Sequence, residues 1–226
     1  MIVSKVVAAC FIVILIELSL TILSAVHRPT WVDGSPLDAV WHHIVWACGD
    51  VSLLTSLLIL WMYSDTSLDF AFTVAIESLL LTYVMCQTGF TDVVLRKADR
   101  WVLRASNLIG FIVGITFLST HVGHEDVMLY IYLVVIGTIV ALIPSKRYGR
   151  SDGRAVQLCL IAGYPCLGVS NMEWALILLI VFTIVVACVL AIRHRSMKRL
   201  PMVPMMCAPF VATIIVSCEV TLPQLV

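Results

Sequence analysis

Apolar stretches long enough to cross a bilayer recur along this 226-residue chain, and the short connections between them alternate in charge. The stretches run roughly 6–26, 39–62, 69–87, 105–121, 127–144, 155–170, 174–192 and 202–220. Every second connection is basic. Arg28 lies in the first; Arg96, Lys97, Arg100 and Arg104 in the third; Lys146, Arg147, Arg150 and Arg154 in the fifth; Arg193, Arg195, Lys198 and Arg199 in the seventh. The intervening connections, 63–68, 122–126 and 171–173, hold Asp65, Glu125, Asp126 and Glu173 but no Lys or Arg. Lys5, ahead of the first stretch, is the one base on that side, so thirteen of the 14 bases fall on the other. Lys and Arg stay cytoplasmic during insertion, so this pattern predicts both the number of crossings and a lumenal or extracytoplasmic N-terminus.

Hydrocarbon offers no partner to backbone N–H and C=O groups, which leaves helices or closed barrels. Runs of this length without strict alternation favour helices. A chain that is 61% hydrophobic and 12% charged, with mean hydropathy +1.05, is no soluble domain. The expectation is therefore an all-α, polytopic transmembrane bundle of seven or eight apolar segments with short loops, one integral membrane domain over 1–226. Two segments are weak. Segment 155–170 holds Gly163, Pro165 and Gly168, which predicts a kink. Segment 202–220 holds Pro204 and Pro209 and ends at Glu219, so 202–226 is expected not to cross as a continuous straight helix. Ser24–Arg28 is a poor cleavage site, and the first segment reads as a retained anchor.

The eight cysteines lie in or beside apolar segments with no C-x-x-C pair, which argues for small buried or lipid-facing residues; acylation of Cys86 or Cys207 is the minor alternative. Glu17, Asp50, Glu77 and Glu219 fall within or at the edge of apolar segments, where each carboxylate costs about 2.5–3.5 kcal/mol on insertion scales and usually faces inward. They fit interhelical hydrogen bonding, or a proton or cation pathway. His121, His124 and Glu125 share one short turn, a composition more typical of a solvated loop than of a metal centre, and no metal is expected. His42 and His43 beside Trp41 and Trp46 read as an interfacial belt. Gly110 and Gly114 form a G-x-x-x-G that permits close helix approach, within the bundle or between copies. No nucleophile system or phosphate-binding loop stands out, so neither an enzyme nor a cofactor is expected. The basic connections suit anionic lipid headgroups, RNA phosphates or acidic partners.

From the second segment onward the chain resembles the flavivirus nonstructural protein 2A family. Gly49-Asp50-Val51 leads into the apolar run Leu53–Trp61, and Trp101-Val-Leu-Arg104 precedes a span. Leu142-Ile-Pro-Ser-Lys-Arg147 is followed by Val156-Gln-Leu-Cys-Leu-Ile-Ala-Gly-Tyr-Pro165. Trp174 then opens a span, and Met197-Lys-Arg-Leu-Pro201 is a basic turn ending in Leu-Pro. The resemblance covers roughly 38–210. Met62-Tyr-Ser-Asp65 departs from the family's basic motif, and Thr221–Val226 lacks its dibasic ending, as in a divergent member. The resemblance implies a non-enzymatic, polyprotein-derived protein of the endoplasmic reticulum. It would serve replication complexes and virion assembly, and counter interferon signalling. Its implied partners are membrane lipids, viral RNA and other viral nonstructural and structural proteins, with homo-oligomer formation open. RNA or partner contact would fall to the basic connections. Two other readings stand beside it. One is a small ion-conducting protein using Glu17, Asp50 and Glu77. The other is a Bax-inhibitor-like protein, although Arg193-His-Arg stands where that family's Asp-Thr-Gln is expected.

Overall fold

The structure, a computed structural model, describes residues 2–63, 66–95, 97, 99–121, 124–142, 150–192 and 202–221. Among them there is no strand. The helices are α1 (Ile2–Val26), α2 (Trp41–Met62), α3 (Leu68–Tyr83), α4 (Gly89–Leu95), α5 (Arg100–His121), α6 (His124–Leu142), α7 (Arg150–Ile192) and α8 (Met202–Thr221). A π-helical turn, Val84–Thr88, joins α3 to α4, so Leu68–Asp92 forms one long run. That run, with Lys5–Val26, Trp41–Met62 and Arg100–His121, makes four helices among the described residues that are long and apolar enough to cross a membrane. The chain is therefore a helical protein suited to embedding in a membrane.

Helix α3 is the axis. Ala71, Val74, Ala75, Ile76, Leu79, Leu80 and Leu81 are all buried, because a helix that is apolar on every face has no solvent side. It packs against α1, α2, α5, α7 and α8. Side-chain pairs give the directions. Ser56 donates to the Ala75 carbonyl at 2.7 Å and Tyr63 meets Phe70, so α2 and α3 are antiparallel. Glu77 meets Gly110 and Asp69 meets His121, so α3 and α5 are antiparallel too. Asn107 donates to the Arg154 carbonyl, and a Cβ at Gly114 would touch Pro165, so α5 runs parallel to the first half of α7. Tyr164 donates to Asp126, and Gln157 to Thr138, so α6 opposes both.

Cys159 lies 4.0 Å from Cys207, and Gly163 abuts Phe210, which makes α8 parallel to the first half of α7. This forces a reversal inside α7. Were residues 169–192 to continue straight, Ile192 would stand about 36 Å beyond Gly168. The ten residues to Met202 would then have to span roughly 55 Å, and they reach at most about 36 Å. The second half of α7 must therefore fold back, and it does so at Gly168, whose φ of 63° and ψ of −175° suit glycine alone. The expected connection at 171–173 is thus not a loop: those residues are helical, and the turn is made three residues earlier. Pro165 remains inside the helix, so the expected break in 155–170 falls at the glycine.

The expectation of a broken last segment is overturned. Helix α8 runs without interruption from Met202 to Thr221. Pro204 lies in its first turn, where a missing N–H removes no helix bond. Pro209 is interior and leaves the Met205 carbonyl without its helix donor, yet the helix continues through it.

Candidate functional site

The polar groups inside the bundle fall into two sets on different sides of α3. The first set starts at Glu17, which is buried and accepts a 2.7 Å hydrogen bond from Thr21 one turn on. Both side chains lie over Gly49 of α2. A Cβ there would sit 2.5 Å from Thr21 Oγ1 and closer still to Glu17 Oε1, so glycine is what admits the carboxylate. The Tyr83 hydroxyl stands beside Thr21 and Ser24, and Gln87 donates to Ser24 at 3.1 Å. Thr88 in turn donates to Gln87 Oε1 at 2.8 Å. Gln87 and Thr88 belong to the π-helical turn, whose extra residue per turn re-aims side chains relative to the α-helix on either side.

The column ends at Asp99, beside Gln87 and ahead of α5. Asp99 Oδ1 accepts from the backbone N–H groups of Trp101 at 2.9 Å and Val102 at 3.4 Å, an N-cap. Burial pushes its carboxyl above the usual range, against the lowering pull of those two N–H groups. Next to it His27 stacks on Trp101 with ring centroids 5.6 Å apart, and the Arg104 guanidinium carbon lies 5.2 Å from the Trp101 ring centroid. Arg104 is thus engaged with an aromatic face.

Glu77 anchors the second set, on the side of α3 that faces α5 and α7. It is wholly buried, and neither carboxyl oxygen has a hydrogen-bond partner. Its Oε2 lies 2.9 Å from where a Gly110 Cβ would be, and the Tyr130 hydroxyl of α6 lies 2.5 Å from the corresponding point at Gly114. Both glycines are buried, and the face they make receives a carboxylate, a phenol and Pro165.

Asp50 corrects the expectation that intramembrane carboxylates face inward. Residues 49 and 50 are about 100° apart around α2. With Gly49 turned to Glu17, Asp50 points outward and is exposed. Glu17, Asp50 and Glu77 therefore do not line one path through this chain. Glu219 lies in α8, with its side chain outside the described residues.

Of the basic residues, Lys97, Arg100 and Arg104 are exposed around the start of α5. Arg154 is half-buried in the first turns of α7, at the same end of the bundle. Arg150 opens α7, but its side chain, like Arg96, Lys146, Arg147, Arg193, Arg195, Lys198 and Arg199, lies outside the described residues. Arg28 belongs to this end as well. There residues 27–40 fold into successive turns over Val32, Leu37, Trp41 and Val45. Trp41 is thus buried edge-on to Trp31 and does not join an interfacial belt, while His42, His43 and Trp46 are exposed. Arg28 Nε is 3.1 Å from Asp33, and its Nη2 pairs with Asp38. Asp38 also accepts from the Gly34 N–H at 2.9 Å; that bond, then Arg28, hold its carboxyl below the usual range.

At the opposite end His121 Nε2 lies 3.0 Å from Asp69 Oδ2, at the mouth of an open groove of about 410 Å³ lined by Phe72, Ile112, Thr116 and Phe117. His124 and Glu125 are exposed. Among the described residues no three His, Cys, Asp or Glu side chains gather as metal ligands would. Cys207 is buried against Cys159 and so is closed to acylation.

Sequence reasoning missed Thr21, Tyr83, Gln87, Asp99 and Tyr130. The 17, 21, 24 spacing of Glu, Thr and Ser marks one face of α1 and was available as a signal. Comparison with family models, curated proteins and solved structures finds no match to this chain.

Proposed function

We propose that this protein is a non-enzymatic, multi-pass membrane scaffold that presents a basic face to the cytosol. The carrying observation is the sorting of the bases by end; acids stand at both, with Asp33, Asp38 and Asp99 at the basic one. Lys97, Arg100, Arg104 and Arg154 gather where α5 and α7 begin, while Asp69, Glu125 and Asp126 lie where α3 and α6 begin. The directions of α1, α2, α3, α5, α6, the first half of α7 and α8 are compatible with eight crossings, and in this reading the two halves of α7 supply the sixth and seventh. By the retention of bases in the cytosol, the basic end is cytosolic and α1 starts in the lumen. Cations gathered at a membrane surface attract anionic headgroups and phosphates, each contributing about 1 kcal/mol near an anionic leaflet.

Recruitment of viral RNA and partner proteins at the endoplasmic reticulum, in replication and assembly, is the form of this reading that the flavivirus 2A resemblance implies. The direction of α8 weighs against that narrower form. Parallel to the first half of α7, it carries Thr221 toward the acidic end, whereas release by a cytosolic viral protease needs the C-terminus at the basic end.

RNA binding by the detergent-purified chain tests the scaffold. Single-stranded RNA should bind with a log–log salt slope that falls by roughly 0.7 for each phosphate contact removed, as in Lys198→Ala, Arg199→Ala or Arg147→Ala. Slopes identical in all three variants would refute RNA contact at these turns. A tag after Val226 reached only from the lumen would leave the scaffold standing and remove the flaviviral assignment.

A further inference from the structure

The Glu77 side of the bundle carries chemistry that scaffolding does not use. Glu77 Oε1 and Oε2, the Tyr130 hydroxyl and the Ser106 hydroxyl are all fully buried and all unpartnered. Each such group is costly when left unpaired. They belong to one place. Ser106, Gly110 and Gly114 recur every fourth residue on one face of α5, with Glu77 seated at Gly110 and Tyr130 at Gly114. Cβ positions four apart on a helix are about 5–6 Å from one another. Glu77 and Tyr130 are therefore close enough to interact electrostatically but do not hydrogen-bond.

The backbone adds an oxygen. Pro165 lies inside α7 and has no N–H, so the Ile161 carbonyl, four residues back, receives no helix bond from it. Ile161 is at the same level: its Cγ2 is 3.2 Å from the Gly110 Cβ position that Glu77 Oε2 approaches to 2.9 Å.

We propose that Glu77, Tyr130, Ser106 and the Ile161 carbonyl form an intramembrane binding site for one monovalent cation of the sodium class, with which a proton competes. The charge balance selects the class. Glu77 is the one acidic side chain among the nearest neighbours of Gly110 and Gly114, and the titratable groups that interact with it are Tyr130 of α6 and Cys166 of α7. A single carboxylate neutralises a single positive charge, and a divalent ion would leave an uncompensated charge in hydrocarbon. Hard alkali cations take oxygen ligands, here one charged and several neutral. A proton alone would cancel the charge of Glu77 but leave the two hydroxyls and the carbonyl unpaired. The site goes beyond the scaffold reading and is independent of it.

Equilibrium binding of radioactive sodium to the full-length, detergent-purified chain tests this. Saturable binding at one site per chain is expected, displaced by unlabelled Na⁺ or by acidification and not by Mg²⁺ or choline. Glu77→Gln should abolish it, Tyr130→Phe should weaken it about tenfold, and Asp50→Asn, on the outer face of α2, should leave it unchanged. Gly110→Ala should weaken it as well, because the new methyl would stand 2.9 Å from Glu77 Oε2. If Glu77→Gln fails to fold, Tyr130→Phe and a sodium-dependent rise in the melting temperature of the unaltered chain carry the test. Absence of saturable sodium binding by the folded chain, or binding undiminished in Tyr130→Phe, would overturn the proposal whatever the outcome of the RNA experiment.

Discussion

Gly49→Ala is the sharpest probe of how the bundle holds a carboxylate. The added methyl would lie 2.5 Å from Thr21 Oγ1, about 1 Å inside ordinary contact, and nearer still to Glu17 Oε1. The helix backbone cannot yield, so the pair must move and its 2.7 Å hydrogen bond must break. Overpacking costs about 1–3 kcal/mol. The lost buried hydrogen bond costs about 1 kcal/mol more. Together they give a destabilisation of about 2–4 kcal/mol. Glu17→Ala empties the space the methyl would claim and frees Thr21 to turn aside. In that background the same Gly49→Ala change should cost under about 1 kcal/mol, a coupling energy of about 2–3 kcal/mol. Reversible unfolding in mixed micelles titrated with SDS, followed by tryptophan fluorescence, measures all four corners of the cycle. Additivity within about 0.5 kcal/mol would refute the seating of Glu17 on Gly49.

Gly168→Ala meets no atom within 4 Å yet should destabilise by about 1–3 kcal/mol through backbone strain alone, read in the same unfolding assay. Asp99→Ala should lose about 1 kcal/mol of cap while Asp99→Asn retains it. Because burial raises the folded carboxyl of Asp99 above the ordinary value of 3.8, ionisation penalises the folded state as pH rises from there through the raised value; Asp99→Asn should remove that decline. Asp38 has the opposite sign: its support of the 27–40 turns is present above 3.8 and lost as pH falls through its lowered folded value, so exchange of the Gly34 amide should accelerate in acid, and not in Asp38→Asn. In a variant keeping only Cys159 and Cys207, with a protease site placed in 193–201, oxidation should hold the two cleaved halves together on a non-reducing gel; their separation would refute the parallel packing of α7 and α8.

Helix positions were legible because hydrophobic length is a local property. Segments 39–62 and 202–220 became α2 and α8 to within two residues at either end. Which way a side chain turns was less legible. Asp50 and Glu17 look alike in sequence, and only the pairing of α1 with α2 through Gly49 sends one outward and the other inward. The continuity of α8 was misjudged because two prolines were counted without regard to place, although the first sits where a helix needs no donor. The convergence of Glu77, Tyr130 and Gly110 joins residues about 20 to 53 positions apart in the chain, a long-range relation that no local pattern carries.

The reversal at Gly168 bears on how the chain is made. A hairpin whose arms stay helical up to one glycine has almost no polar stretch for the insertion machinery to haul across; beyond the turn Ser170, Asn171 and Glu173, and further on Thr183, interrupt the apolar run. If the eight-crossing proposal holds, residues 155–192 partition from the translocon as a single unit, both arms leaving water together, and neither arm needs to be hydrophobic enough to enter alone. That spares the first arm, with its Gly163, Pro165 and half-buried Gln157, from meeting the insertion threshold by itself. The second arm, whose Leu176, Ile177, Ile180, Phe182 and Ile184 are exposed, supplies the hydrophobic drive for both. Charges placed in the second arm should therefore keep the first arm from inserting, so the fate of residues 155–167 is decided by side chains that follow them in the chain.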